Sequence, residues 1–289
     1  MSGRRNLSGH QGLGGHHDIR GGQDLHSHTI YCDGKGTPEE MARGAIGKGC
    51  ASFGFSGHSY ADFDAKHTMS VEDTQRYISD VTGLREKYAD EIEIFLGIEQ
   101  EYYAGPPAPG FDFVIGAVHY IKNKYGHICV DYGEQGQKRS VDEHFGGDYY
   151  SFARAYFETV AEMMRGTGVD VVAHFDLITK YNTGGKLFDE THPRYRSAAV
   201  DAMDDILKKH RLFEVNTGAM YRLSKPEPYP SLFLLKELSA RGGEVILSSD
   251  SHDAESICYR FGDMHELLKN CGFKYTKRLT QSGFVDVAL

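Results

Sequence analysis

A chain of 289 residues with a net charge of −9, 34 glycines, 18 tyrosines and no tryptophan has the composition of a globular protein and the length for one large core or two small ones. The acidic balance argues against a general nucleic-acid binder, which carries a basic face, and no uninterrupted apolar run approaches the length of a membrane span. The five cysteines, Cys32, Cys50, Cys129, Cys258 and Cys271, include no CxxC pair, which fits free thiols in a reducing compartment and makes the cytoplasm the expected location.

Residues 1–23 are Gly-rich, contain His10, His16 and His17, and lack the apolar centre of a signal peptide. They read as a disordered leader or an artificial tail, with histidines that are not ligands. Residues 24–289 read as one domain, because no linker or internal repeat divides them. Apolar or β-branched runs predict strands at Asp24–His28, Ala51–Ser56, Ile92–Ile98, Phe111–Val118, Val169–Ala173, Leu212–Val215 and Val245–Ser249. Helical patterns fall between most of them, at Thr37–Gly49, Val71–Lys87, Asp148–Arg165, Arg194–Lys209, Ser231–Arg241 and Ala254–Asn270. Thr37-Pro38-Glu39-Glu40 forms a capping box with proline at the first helical position, and Gly242-Gly243 is a stop. Tyr120–Gly147 is polar and irregular, with one candidate strand at Ile128–Tyr132, and reads as an insertion or a long active-face loop. Strands alternating with helices imply parallel pairing through crossovers, and seven of them suit an α/β barrel more than an open sheet.

The informative residues follow these runs. His26 and His28 end the first strand, two positions apart, and so face the same way. His58, Glu99, His119 and His174 each follow a later run, and Asp250-Ser251-His252 repeats the alternation near the other end of the chain. In a β/α barrel the C-terminal ends of the strands share the face that carries the active site. A single histidine there is more often a hydrogen-bonded structural residue. Six histidines and three carboxylates (Asp33, Glu99, Asp250) at equivalent places point instead to a metal site. Nine ligands exceed what one catalytic zinc takes and suffice for three ions if a carboxylate bridges two. Mixed imidazole and carboxylate donors suit Zn, Mn or Fe. His67, His127, His144, His192, His210 and His265 read as loop or helix-face residues, and Asp201, Asp204 and Asp205 as a solvated helix face.

DLHSHT at Asp24–Thr29, GFSGHSY at Gly54–Tyr60, GIEQEYY at Gly97–Tyr103, IGAVHYI at Ile115–Ile121, AHFDLITKYN at Ala173–Asn182, FEVNTGA at Phe213–Ala219 and SSDSH at Ser248–His252 together resemble the polymerase-and-histidinol-phosphatase (PHP) superfamily, in its monofunctional histidinol-phosphatase type. The resemblance implies a distorted (β/α)7 barrel and a trinuclear site. Carried over by motif, His26, His28, Glu99 and Asp250 hold the first metal. Glu99 bridges to a second, completed by His119 and His174, and Asp33, His58 and His252 hold the third. Many members have histidine near position 33.

The expected reaction is hydrolysis of a phosphate monoester, with Glu99, Asp250 and His252 as the catalytic residues and attack by a bridging hydroxide on phosphorus in line with the leaving alkoxide. The leaving group's proton comes from His252 or a metal-bound water. Arg222, Lys225 and Lys180 are the candidate phosphate-binding cations, although relatives tend to carry arginine near position 225 and lysine offers no bidentate fork. Asp24 and Asp176 either orient ligating imidazoles or cap loops. The leading substrate is histidinol phosphate, in histidine biosynthesis, with no nucleic-acid or membrane partner. The alternatives are another small phosphomonoester or nucleotide end, or a non-catalytic metal-binding module. The pattern leaves the oligomeric state open.

Overall fold

The computed structural model describes residues 21–166 and 168–289. The leader expected at 1–23, with His10, His16 and His17, therefore lies outside the described residues up to position 20. In chain order the elements are β1 (Gln23–Asp24), α1 (Pro38–Gly47), β2 (Ser52–Phe55), α2 (Val71–Lys87), β3 (Glu93–Glu101), β4 (Phe113–Ala117), β5 (Tyr120–Asn123), β6 (Gly126–Cys129), α3 (Glu134–Phe145), α4 (Tyr149–Arg165), β7 (Val171–Val172), α5 (Pro193–Ile206), β8 (Leu212–Asn216), α6 (Gly218–Leu223), α7 (Leu232–Ala240), β9 (Glu244–Ser248), α8 (Phe261–Cys271), β10 (Tyr275–Thr280) and β11 (Gly283–Ala288).

Seven strands form one parallel sheet in the order β1-β2-β3-β4-β7-β8-β9. The backbones of the two edges pair at the top, where Ser27 meets Ser251; His28 N donates to Ser251 O at 2.8 Å and Ser251 N to His26 O at 3.0 Å. The result is the distorted (β/α)7 barrel expected from the motifs. The strands are buried on both faces, as parallel strands covered by helices must be. Local signals start the helices: Thr37 and Glu40 form the reciprocal cap of α1, Ser70 caps α2 through Asp73 N, and Asp148 caps α4 through Tyr150 N and Ser151 N.

The barrel interior is layered. At the N-terminal ends of the strands Leu25, Phe95, Phe113, Ile115, Leu212 and Ile246 form an apolar plug, joined by Leu279 and Phe284 from the C-terminal hairpin. Phe113 fits because Gly97 stands opposite it on β3 and Gly54 lies one strand further, on β2. A Cβ on Gly97 would lie 2.3 Å from its ring, and one on Gly54 2.9 Å.

Three local expectations differ from the structure. The helix expected at Ala254–Asn270 begins at Phe261, because Cys258 and Arg260 take positive φ angles (55° and 57°) and Cys258 N is committed to Asp24. The irregular segment Tyr120–Gly147 folds into the β5–β6 hairpin and α3. The C-terminal β10–β11 hairpin, absent from the predicted elements, is clamped to the barrel by Gln23, whose side chain bonds both Leu279 N (2.7 Å) and Leu279 O (2.9 Å). No described helix is long and apolar enough to cross a membrane, and all five cysteines are free thiols.

Candidate metal centre

Strand alternation delivers the site. On β3, Phe95, Gly97, Glu99 and Glu101 share the inner face. Phe95 joins the apolar plug, Gly97 makes room for Phe113, and the two glutamates reach the mouth. On β9, Ile246 lies in the plug and Ser248 and Asp250 follow on the same face; on β8, Leu212 is followed by Glu214 and Asn216. Asp250 has φ 49°, a left-handed conformation uncommon outside glycine and concentrated at functional sites.

The structure brings all nine predicted ligand residues to this mouth. Three groups of donor atoms converge: His28, Asp33, His58 and His252; His26, His28 and Asp250; and His58, Glu99 and His119. His174 joins through Nε2, 3.0 Å from Glu99 Oε1. The grouping differs in detail from the family allocation, since His28 belongs to two groups and His58 approaches Glu99 Oε2 through Nδ1 at 2.8 Å.

The donor set fits divalent cations on two grounds. His26 Nε2, His28 Nε2 and Glu99 Oε2 are buried and have no hydrogen-bond partner. Buried polar atoms are normally satisfied, so three such atoms facing one another fit coordination of a cation. Their spacing also suits one. His26 Nε2 and His28 Nε2 lie 3.4 and 3.5 Å from Glu99 Oε2, and 3.8 and 3.3 Å from Asp250 Oδ1. Ligand bonds of about 2.1 Å in tetrahedral array put donors roughly 3.4 Å apart.

The electrostatics is that of a cation site. Burial raises the cost of charge on Glu99, yet His58, His26 and His119 hold its carboxyl well below the usual range. Burial alone would suppress protonation of His26, but Glu214, Glu99 and Asp250 outweigh it and raise its pKa. Burial, then the neighbouring His252 and His58, depress His28 to about 3. A neutral His28 has a lone pair available for coordination.

Two buried carboxylates that the sequence pattern did not single out support the ligands. Glu101 Oε2 accepts from His119 Nδ1 at 3.1 Å and from His119 N at 2.9 Å. Glu214 accepts from His26 Nδ1 at 2.8 Å and from His174 N at 2.6 Å. Asp24 contacts no ligating imidazole; it binds Ser249 N and Oγ, Cys258 N and His26 N, tying the backbone of both edge strands together. Asp176 accepts from Ser231 N, and burial pushes its pKa up to about 6.

Seven of the nine ligand residues, all but the fully buried His26 and His28, line a cavity of about 260 Å³ whose wall also includes Asp64, His67, Tyr120, Asp131, Tyr132, Lys180 and Arg222. Arg222 Nη2 binds Asp250 Oδ2 at 2.9 Å and Nη1 lies 2.8 Å from His252 Nδ1, while Lys180 pairs with Asp131 at 2.7 Å. Lys225 is not part of this wall. It is buried with Nζ 5.0 Å from the Tyr229 ring centroid, where its charge acts on Asp176 and Glu190. His67 is the loop residue expected, held by Asp64 at 2.8 Å, and it also lines the cavity wall.

Comparison with known proteins agrees with this geometry. A probable histidinol-phosphatase of Deinococcus radiodurans is 27% identical over 86% of this chain and 93% of its own length. The histidinol-phosphatase of Bacillus subtilis is 22% identical over 83% and 96%. The crystal structure of histidinol phosphate phosphatase from Lactococcus lactis, complexed with zinc, L-histidinol and phosphate, shares the fold at a TM-score of 0.71, with 20% identity over 92% of this chain and 99% of that one. The PHP domain model matches residues 24–218, from the first ligand strand to the start of α6, and the chain belongs to the PHP domain family.

Proposed function

We propose that this chain is a metal-dependent phosphatase whose substrate is histidinol phosphate, acting in histidine biosynthesis in the cytoplasm. The observation that carries the reading is the set of orphaned donors, His26 Nε2, His28 Nε2 and Glu99 Oε2, which meet at Glu99 on the wall of a cavity that also presents Arg222. The names of the relatives, and the zinc, histidinol and phosphate held by the Lactococcus structure, support the same substrate class.

His26, His28, Asp33, His58, Glu99, His119, His174, Asp250 and His252 would hold three divalent ions, zinc, manganese or iron. Bound there, such ions neutralise phosphate charge and lower the pKa of a coordinated water to near neutrality. Glu99 is placed to serve two positions, since Oε1 faces His174 and His119 while Oε2 faces His58, His26 and His28. Arg222 is held by Asp250 with its guanidinium on the cavity wall, placed to bind a phosphate oxygen at a reduced entropic cost of ordering. Lys180 also lines the cavity, where Asp131 holds its ammonium in place and offsets its charge. Lys225 acts indirectly, through Tyr229 and Asp176.

A panel of phosphomonoesters, assayed with zinc or manganese, tests the assignment. Histidinol phosphate is expected to be the preferred substrate by kcat/KM. Turnover no faster than that of a generic aryl phosphate would overturn the biosynthetic assignment while leaving a phosphatase.

A further inference from the structure

Glu214 sits in the middle of β8, fully buried, on the inner face between the apolar plug and the metal ligands. It does not itself line the cavity. Its carboxylate receives four hydrogen bonds. Oε1 accepts from His174 N at 2.6 Å and from Asn216 Nδ2 at 2.8 Å; Oε2 accepts from His26 Nδ1 at 2.8 Å and from Ser248 Oγ at 2.6 Å. A carboxylate has about four lone-pair sites and no donor, so it is saturated.

Two of these donors cannot change role. His174 N is a backbone amide. Asn216 Nδ2 is fixed as a donor because Gly218 N donates to Asn216 Oδ1 at 2.9 Å, which sets the orientation of the amide. The other two can change. A serine hydroxyl rotates, and an imidazole moves its proton from one nitrogen to the other.

We infer that Glu214 is a positioning residue that locks a proton on His26 Nδ1 and thereby keeps the lone pair of His26 Nε2 free for a metal ion. Nε2 is the buried, unpartnered atom of His26 that faces Glu99 and Asp250. A ligating histidine depends on such a partner for its tautomer and ring orientation. The inference rests on the metal-site reading above and extends it to a residue that contacts neither metal nor substrate.

The same accounting predicts what Glu214→Gln does. Glutamine has one oxygen and one NH2 group. The oxygen must face His174 N and Asn216 Nδ2, the two fixed donors. The NH2 then faces His26 Nδ1, which can only accept by giving up its proton, and the proton moves to Nε2. An isosteric change of one atom thus blocks a ligand by reversing a tautomer. Ser248→Ala removes one bond from the same carboxylate but leaves its charge and the His26 tautomer intact.

The experiment is zinc titration of chelator-stripped wild-type, Glu214→Gln and Ser248→Ala chains, with 15N-histidine NMR of the zinc-loaded wild type. Zinc at the position served by His26 is expected to weaken by about 10- to 100-fold in Glu214→Gln and to stay near the wild-type value in Ser248→Ala, although both variants lose thermal stability. The NMR spectrum is expected to show the His26 proton on Nδ1. Unchanged zinc affinity in Glu214→Gln, equal weakening in both variants, or a wild-type proton on Nε2 overturns the inference. The wild-type spectrum decides even if Glu214→Gln does not fold. A wild-type chain that binds no zinc overturns the metal centre and this inference together. One that binds zinc but hydrolyses no phosphomonoester overturns only the proposed reaction.

Discussion

Phe95 and Glu99 lie on the same face of β3, and they meet opposite demands. Around Phe95 the barrel is filled by apolar side chains that exclude water, with Phe113 occupying the space left by Gly54 and Gly97. Around Glu99 the same strands carry imidazoles and carboxylates, among them atoms with no protein partner. The lower half is complete in itself. The upper half is an array of buried charges that needs cations to be satisfied. The rigid lower layer fixes the strand ends, and the strand ends fix the ligands. A packed plug is therefore part of the reason that these polar side chains can be held at one mouth with their donor atoms gathered in groups of three and four.

Perturbations should separate the halves. Chelation is expected to have the largest effect, abolishing phosphatase turnover, with recovery on adding zinc or manganese and with the strand and helix content by circular dichroism retained; activity that survives complete metal removal would break the comparison. Glu99→Gln follows, with turnover falling by more than about 100-fold, since even outer partners of metal ligands cost 10- to 100-fold, while the chain remains folded. His119→Ala should also sharply reduce turnover and leave the protein in solution. In the lower half the losses should appear as stability instead. Phe113→Ala is expected to cost about 3–5 kcal/mol in denaturant unfolding, with zinc stoichiometry unchanged in the molecules that stay folded. Gly97→Ala should cost roughly 1–3 kcal/mol by overpacking. Its effect should shrink in a Phe113→Leu background, because the clash is with the Phe113 ring. Arg222→Lys is the mildest change, about tenfold in kcat/KM with most of it in KM, since the charge is kept and the fork is lost.

The sequence was most readable where function is local. Each ligand except Asp33 follows an apolar run, so a strand-end position and a residue type suffice to nominate it, whereas Asp33 stands in the turn after β1 and is nominated by the family resemblance. Capping boxes and prolines likewise mark helix starts without reference to the rest of the fold. The supports were harder to see. Glu214 was absorbed into the apolar run Leu212–Val215, although a single carboxylate inside a buried strand is itself a signal, because such a charge persists only when it is paired. Glu101 stands two residues beyond Glu99 on the same face, and its role depends on His119 from the next strand. The placement of Lys225 away from the cavity depends on Tyr229, a partner that no spacing rule supplies. The C-terminal hairpin left a readable trace in the alternation of residues 275–288 around Ser282-Gly283, and what it caps is set by barrel closure rather than by its own pattern.

The central claim is that the polar upper half is one metal-phosphate centre. Anomalous diffraction at the zinc edge, from crystals of the zinc-loaded chain grown with phosphate, tests it most directly. The account predicts anomalous peaks within bonding distance of His26, His28, Glu99 and Asp250 and of the neighbouring ligand groups, with phosphate between them and Arg222. Peaks elsewhere, or a phosphate bound without metal contact, would contradict it.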